Sequence, residues 1–186
     1  FSLPRLSENL NMTIDPGLAA KALGVDPLDF GFGSHGLSVW SAGVPFVMVP
    51  MKGLEAIGRA RVADMEAWRA AFGVTGKGAA FLYTRETVDP ARHIHARMFF
   101  PGAGVTEDPA TGSAVAAFSG VAATCELPED GQHQLVIEQG FEMGRPSLIV
   151  LDLAIHGGRL VEATIGGEFV EGGMFGAEPA PGSEVD

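Results

Sequence analysis

Ser113-Ala-Val-Ala-Ala-Phe-Ser-Gly-Val-Ala-Ala123 is the stretch on which the fold turns. It contains no charge, and its apolar residues fall on every side of a 3.6-residue period. A helix at the surface of a globular protein keeps one polar face, so a helix without one is enclosed on all sides. The segments before and after it alternate or run apolar over short lengths, as strands do. The expected class is therefore α+β, a strongly curved, mostly antiparallel sheet, barrel-like, wrapped around a central apolar helix.

Immediately before that helix stands Gly104-Val-Thr-Glu-Asp-Pro-Ala-Thr-Gly-Ser-Ala114, preceded by the extended run His95-Ala-Arg-Met-Phe-Phe-Pro101. A strand, a polar turn and a helix start follow one another. The first amides of a helix lack partners inside it and carry partial positive charge, which suits a carboxylate or phosphate. On a functional reading, the amides from Gly112 to Ala114 hold an anion and Gly112 lets it approach the backbone. Thr111 and Ser113 supply hydroxyls, and Asp108 faces the ligand as acceptor or acid/base group. On a plainer reading Asp108 or Thr111 caps the helix and nothing binds. The residues alone leave both open.

Other segments frame this one. Asp15-Pro16 opens a short helix that ends at Gly24, and Asp26-Pro27 opens a turn. Strands are expected over 37–41 and 45–51, joined by a tight turn, and over 79–84 and 93–100. A helix is expected over 59–72, with Val62, Met65, Trp68 and Phe72 on its buried face. Further strands are expected over 134–139, 147–154, 159–165 and 168–171, with a loose tail rich in Pro, Gly and acid after Gly176.

The net charge of −11 argues against nucleic acid and anionic membrane as partners, because both need a basic face. A single cysteine, Cys125, excludes an internal disulfide and reads as a buried thiol near a helix end. No run approaches about 20 apolar residues, so no membrane-spanning helix is expected, and no signal peptide is visible in 1–5. The location read from these features is cytoplasmic. His93 and His95 share a strand face, but no carboxylate or cysteine nearby completes a metal set. No dinucleotide fingerprint, phosphate-loop lysine or nucleophile elbow is present. Arg145, between Gly144 and Pro146, either holds a carboxylate or pairs with an acid such as Glu142.

Two stretches resemble a known family. Met98-Phe-Phe-Pro101, Gly104 and Glu107-Asp-Pro-Ala-Thr-Gly-Ser-Ala114 resemble the central signature of the PhzF-like, phenazine-biosynthesis-type isomerases. Gln139-Gly140 with Met143-Gly-Arg-Pro-Ser147 resembles the second signature, and Gly166-Gly167, Phe169-Val170 and Gly172-Gly173 resemble the final strands. The resemblance implies a diaminopimelate-epimerase-like fold. In it two similar halves each wrap a curved sheet around a helix, with the active site in the cleft between them. It implies a cofactor-independent isomerase that moves a proton between carbons of a small, amino-acid-like carboxylate. Asp108 matches the aspartate that contacts substrate, and Ser113 matches the serine at the helix start. Gly112 and Ser113 supply donors to the substrate carboxylate.

The family's proton-moving Glu belongs to the first half, and no counterpart to it is found between Phe1 and Asp186. The chain thus resembles the C-terminal two-thirds of a member and does not begin with Met, as a processed or truncated product would not. Residues 1–36 are read as remnant and linker from a first domain, 37–176 as the second domain and 177–186 as a loose acidic tail. Such a chain supplies the substrate-binding wall of a half-cleft and is expected to be inactive alone. Expected partners are a small carboxylate substrate and a second copy in a homodimer. The alternative is a non-catalytic small-molecule-binding or interaction domain of the same fold.

Overall fold

A computed structural model describes residues 2–126 and 128–169. The strands are β1 (Glu8–Asn9), β2 (Ser38–Ser41), β3 (Pro45–Pro50), β4 (Ala80–Thr84), β5 (Ile94–Phe100), β6 (Val105–Asp108), β7 (Gly131–Gln139), β8 (Ser147–His156) and β9 (Arg159–Phe169). They form one nine-stranded sheet in the order β1-β2-β3-β4-β5-β7-β8-β9, with β6 paired to β5. Six pairings are antiparallel; β3 with β4 and β5 with β7 are parallel. The sheet is thus mostly antiparallel, as expected.

Helix α1 spans Pro16–Leu23, α2 Leu54–Arg59, α3 Met65–Phe72 and α4 Gly112–Cys125. Every residue of α4 from Ala114 to Ala122 is buried. The helix packs against β1, β2, β3, β8 and β9, so the sheet curls around it. The full burial of Val115, Phe118 and Val121 stabilises this arrangement by about 1.5–3 kcal/mol per side chain. No helix of the described residues is long and apolar enough to cross a membrane.

The strands sort their side chains between two cores by the two-residue period. Trp40, Phe46, Met48, Phe81, Tyr83, Ala96 and Met98 face α4. Val39, Val47, Val49, Ala80, Leu82 and Phe99 face outward, into a second core with α1, α2 and α3. β3 and β4 are covered on both faces, which is why they read as continuous apolar runs. The expected central helix has an outer layer of helices as its counterpart.

Three expectations need correction. The single helix over 59–72 is replaced by α2 and α3 with an extended link between them. The amides of Arg61 and Ala63 donate to the carbonyls of Leu23 and Ala22. Asp64 caps α3 by accepting from the Ala67 amide at 2.9 Å. The separate strands over 159–165 and 168–171 are one strand, β9, as far as Phe169. The turn expected from Gly104 onward includes a further strand, β6. Residues 170–186, with the family's last glycines and the acidic tail, lie outside the described residues.

The N-terminal segment closes a seam. Ser2 bridges Thr164 of β9, and the Leu3 amide donates to Ala163 O at 2.9 Å. A few residues later β1 pairs with β2 at the far side of the sheet, and the Ser7 hydroxyl donates to Ala117 O of α4 at 2.6 Å. The two ends of the sheet are thereby linked around the helix. Residues 16–23 sit in the outer layer, where α1 packs on α3.

Candidate active site at the start of the central helix

Thr111 occupies the capping position of α4 but makes no side-chain cap. Its carbonyl accepts from the Ala114 and Val115 amides, each at 3.1 Å. Among the described residues the amides of Gly112 and Ser113 meet no acceptor, and both residues are exposed. They open onto a cavity of about 380 Å³. Gly112, Ser113 and Ala116 form one wall, the β2–β3 turn at Ala42, Gly43 and Val44 another, and Leu3, Pro4 and Ile165 complete it. Two donors at the positive end of a 14-residue helix, in otherwise apolar surroundings, suit one carboxylate group. Ala114 stands behind them, fully buried with its amide engaged.

The carboxylates before the helix point apart because β6 alternates. Glu107 meets Arg97 through two parallel bonds, Nε to Oε1 at 2.8 Å and Nη2 to Oε2 at 3.0 Å. The same guanidinium donates from Nη1 to Ile57 O at 3.0 Å and Ala60 O at 2.8 Å, at the end of α2. Glu107 therefore fastens β6 and β5 to the outer helices. Asp108, half-buried, instead accepts from the Thr111 hydroxyl, Oγ1 to Oδ2 at 2.6 Å. It does not line the cavity; it stands three residues before Thr111, the capping residue of α4.

The second signature stretch holds the first in place. Gln139, fully buried, donates from Nε2 to Asp108 O at 2.7 Å and to Thr111 Oγ1 at 3.1 Å, and accepts from the Thr111 amide at 3.3 Å. Ser147 donates to Pro109 O at 2.6 Å. Gly140 has a φ of 80°, and a Cβ there would lie 2.3 Å from Arg145 O and 2.9 Å from Pro109 O, so only glycine fits. The loop is fastened from beneath by His95, whose Nδ1 lies 2.7 Å from Glu138 and whose Nε2 lies 2.7 Å from Glu142. Glu142 thus pairs with His95 and not with Arg145, whose side chain has no partner among the described residues.

Burial works against charge on His95, but the bonds to Glu142 and Glu138 outweigh it and hold the imidazole above its ordinary range. Burial likewise pushes Glu142 up, and the bond to His95 more than reverses this, leaving the carboxyl below its usual range. His93 lies apart, exposed, accepting from the Val136 amide through Nδ1. Among the described residues no group of three potential ligands could hold a metal ion. Cys125 is half-buried, and burial pushes its thiol up, away from the reactive thiolate.

Gln139 and Ser147 are the contributors that sequence reasoning did not single out. Both sit in the quoted second signature, but their partners lie 28 to 38 residues away, beyond any local pattern.

The chain matches the model of the phenazine biosynthesis-like protein family (PhzC-PhzF) over residues 11–171. It belongs to that family. It is 46% identical over 174 residues to an uncharacterized isomerase of Mesorhizobium japonicum, covering 92% of this chain and 57% of that protein. It is 34% identical over 150 residues to an uncharacterized isomerase of Bacillus subtilis, covering 76% and 47%. The chain thus spans about half the length of the curated relatives it matches. The fold of this family member is similar to the crystal structure of the Bacillus anthracis phenazine biosynthesis protein, PhzF family, with a TM-score of 0.77 at 24% identity. That match covers 87% of this chain and 54% of the other. A predicted epimerase from Pseudomonas aeruginosa matches with a TM-score of 0.59 at 27% identity, over 92% and 57%. The resemblance read from the two signatures is confirmed by these matches, as is the fold class.

Proposed function

We propose that the protein is a cofactor-independent isomerase or epimerase that moves a proton on a small, amino-acid-like carboxylate, in a cleft between two halves. This chain supplies the wall that binds substrate. The observation that carries the proposal is the pair of amides, Gly112 and Ser113, that meet no acceptor among the described residues, at the mouth of an otherwise apolar cavity. A carboxylate seated there has its charge met by the helix start. When the neighbouring C–H bond breaks, the electron pair spreads into that carboxylate, where the same amides stabilise it. The proton passes to a base and returns to another carbon or the opposite face, so the reaction is redox-neutral. Among the described residues no side chain lining the cavity is titratable, and the base is assigned to a facing half. Asp108 is assigned a substrate contact or supporting acid/base role. The division into 1–36, 37–176 and 177–186 belongs to the same proposal.

The test is solvent deuterium incorporation by the complete protein, across a panel of amino and unsaturated carboxylic acids in D₂O. Deuterium should enter at the carbon next to the carboxylate or conjugated with it. Gly112→Pro keeps the helix start but removes one amide. It should raise KM by about tenfold, the worth of one hydrogen bond to a charged group. No incorporation from any acid in the panel would overturn the isomerase reading. Binding without incorporation would favour a non-catalytic carboxylate-binding domain.

A further inference from the structure

The hydrogen bonds around Asp108 can be given directions without knowing where any hydrogen lies. The Thr111 amide can only donate and faces Gln139 Oε1; the Asp108 carbonyl can only accept and faces Gln139 Nε2. The Gln139 amide therefore has one possible orientation. Its Nε2 then also donates to Thr111 Oγ1. The Thr111 hydroxyl, with that lone pair occupied, directs its own hydrogen to the remaining neighbour, Asp108 Oδ2. The other carboxylate oxygen, Oδ1, has no partner among the described residues.

We propose that Gln139 is a positioning residue that acts through Thr111. It fixes the hydroxyl as a donor to Asp108 Oδ2, and so leaves Oδ1 as the oxygen of Asp108 that meets the substrate. Only the last clause rests on the isomerase reading; the relay stands on the bonds alone. Several features suit a relay more than simple packing. Gln139 is fully buried, yet each of its side-chain atoms that can bond is directed at the Asp108–Thr111 turn. Thr111 sits at the capping position of α4 and still turns its hydroxyl to Asp108 instead of to a helix amide. That choice leaves the Ser113 amide uncapped, next to the Gly112 amide, which a side chain at the capping position does not reach. Ser147 steadies the same turn by donating to Pro109 O.

The test combines a spectroscopic signature with rescue by a conservative variant, in the complete protein. A hydroxyl proton bonded to a carboxylate produces a deuterium isotope shift at the Asp108 carboxyl carbon in ¹³C spectra recorded in mixed H₂O and D₂O. Wild type and Thr111→Ser should show the shift, and Thr111→Val, which is isosteric, should lose it. Gln139→Glu keeps the shape but replaces the donating nitrogen with an acceptor. The Thr111 hydroxyl should turn toward it, and the shift at Asp108 should vanish. In the deuterium-incorporation assay, Thr111→Val should lower kcat about 10- to 100-fold with KM nearly unchanged, while Thr111→Ser stays close to wild type. Retention of the isotope shift in Thr111→Val or Gln139→Glu would overturn the relay. An unchanged kcat in Thr111→Val would overturn its role in the reaction. If wild type incorporates no deuterium from any acid, the isotope shifts still decide the relay, and it is the isomerase reading that has failed.

Discussion

His95 and His35 are both buried, and their partners give them opposite protonation. Both ring nitrogens of His95 face carboxylates, which only accept, so the ring satisfies both only as the imidazolium. His35 has one carboxylate neighbour, Glu126 at 2.8 Å from Nε2, and one hydroxyl, Tyr83 at 2.9 Å from Nδ1. The neutral ring satisfies these, with Nε2–H donating to Glu126 and Tyr83 donating to Nδ1; burial holds this imidazole below its ordinary range. The sign for His95 follows from its raised value. Its stabilising contribution is complete below the unfolded value of 6.5 and is lost as pH rises through the higher folded value. Glu142, held low, contributes fully above its unfolded value of 4.5 and is lost as pH falls through its folded value. His95→Gln should therefore cost most between those two unfolded values, on the order of 3 kcal/mol, since it removes the buried cation that faces two carboxylates. The deficit should shrink at alkaline pH. Urea unfolding of both proteins across pH checks this, and a deficit that does not change with pH would refute the imidazolium assignment.

At the scale of elements, α4 was legible in the sequence because its signal is local: no charge and no polar face. Its neighbours were less so. Nothing in the period over 59–72 distinguishes one helix from two short ones. The break is made by Arg61 and Ala63 bonding to α1 and by Asp64 capping α3, and only the first of these needs a distant partner. The Asp64 cap could have been found by its position before Met65. The role of Glu107 was not readable, because Arg97 lies on a different strand. Asp108 and Thr111 were readable as candidates but not as bonded to one another, nor as held by Gln139. Gly120 shows how closely α4 fits. A Cβ there would lie 2.5 Å from the Trp40 ring and 2.7 Å from Ser7 Oγ. Gly120→Ala gains about 1 kcal/mol in helix propensity but meets an overpacking cost of about 1–3 kcal/mol, and the rigid indole makes the cost the larger. Gly58→Ala, exposed in α2 with nothing within 4 Å, should gain about 0.5–1 kcal/mol. Opposite shifts in unfolding free energy are expected for the two variants, and equal shifts would count against the close approach of α4 to β2.

At the scale of the whole molecule, the sheet has a layer of helices outside and a single helix within. The sequence pointed to helices before Gly24 and over 59–72 but not to their place outside the sheet, because a strand covered on both faces looks like any other apolar run. The two signature stretches lie about 30 residues apart and meet at one turn, so the site forms only when β5, β6, β7 and β8 have assembled. The seam made by residues 2–9 has a different consequence. A strand end with unpaired amides and carbonyls is a template for a second chain, and β9 is the longest strand of the sheet. Its partner on the seam side is a few residues of coil, bonded at Ala163 and Thr164. Removing residues 1–9 should leave the core packed but raise self-association, seen as concentration-dependent light scattering, with the Ala163 carbonyl newly open for pairing and the already exposed Val161 beside it. Those few residues would then act as a guard against aggregation, a duty unrelated to any substrate.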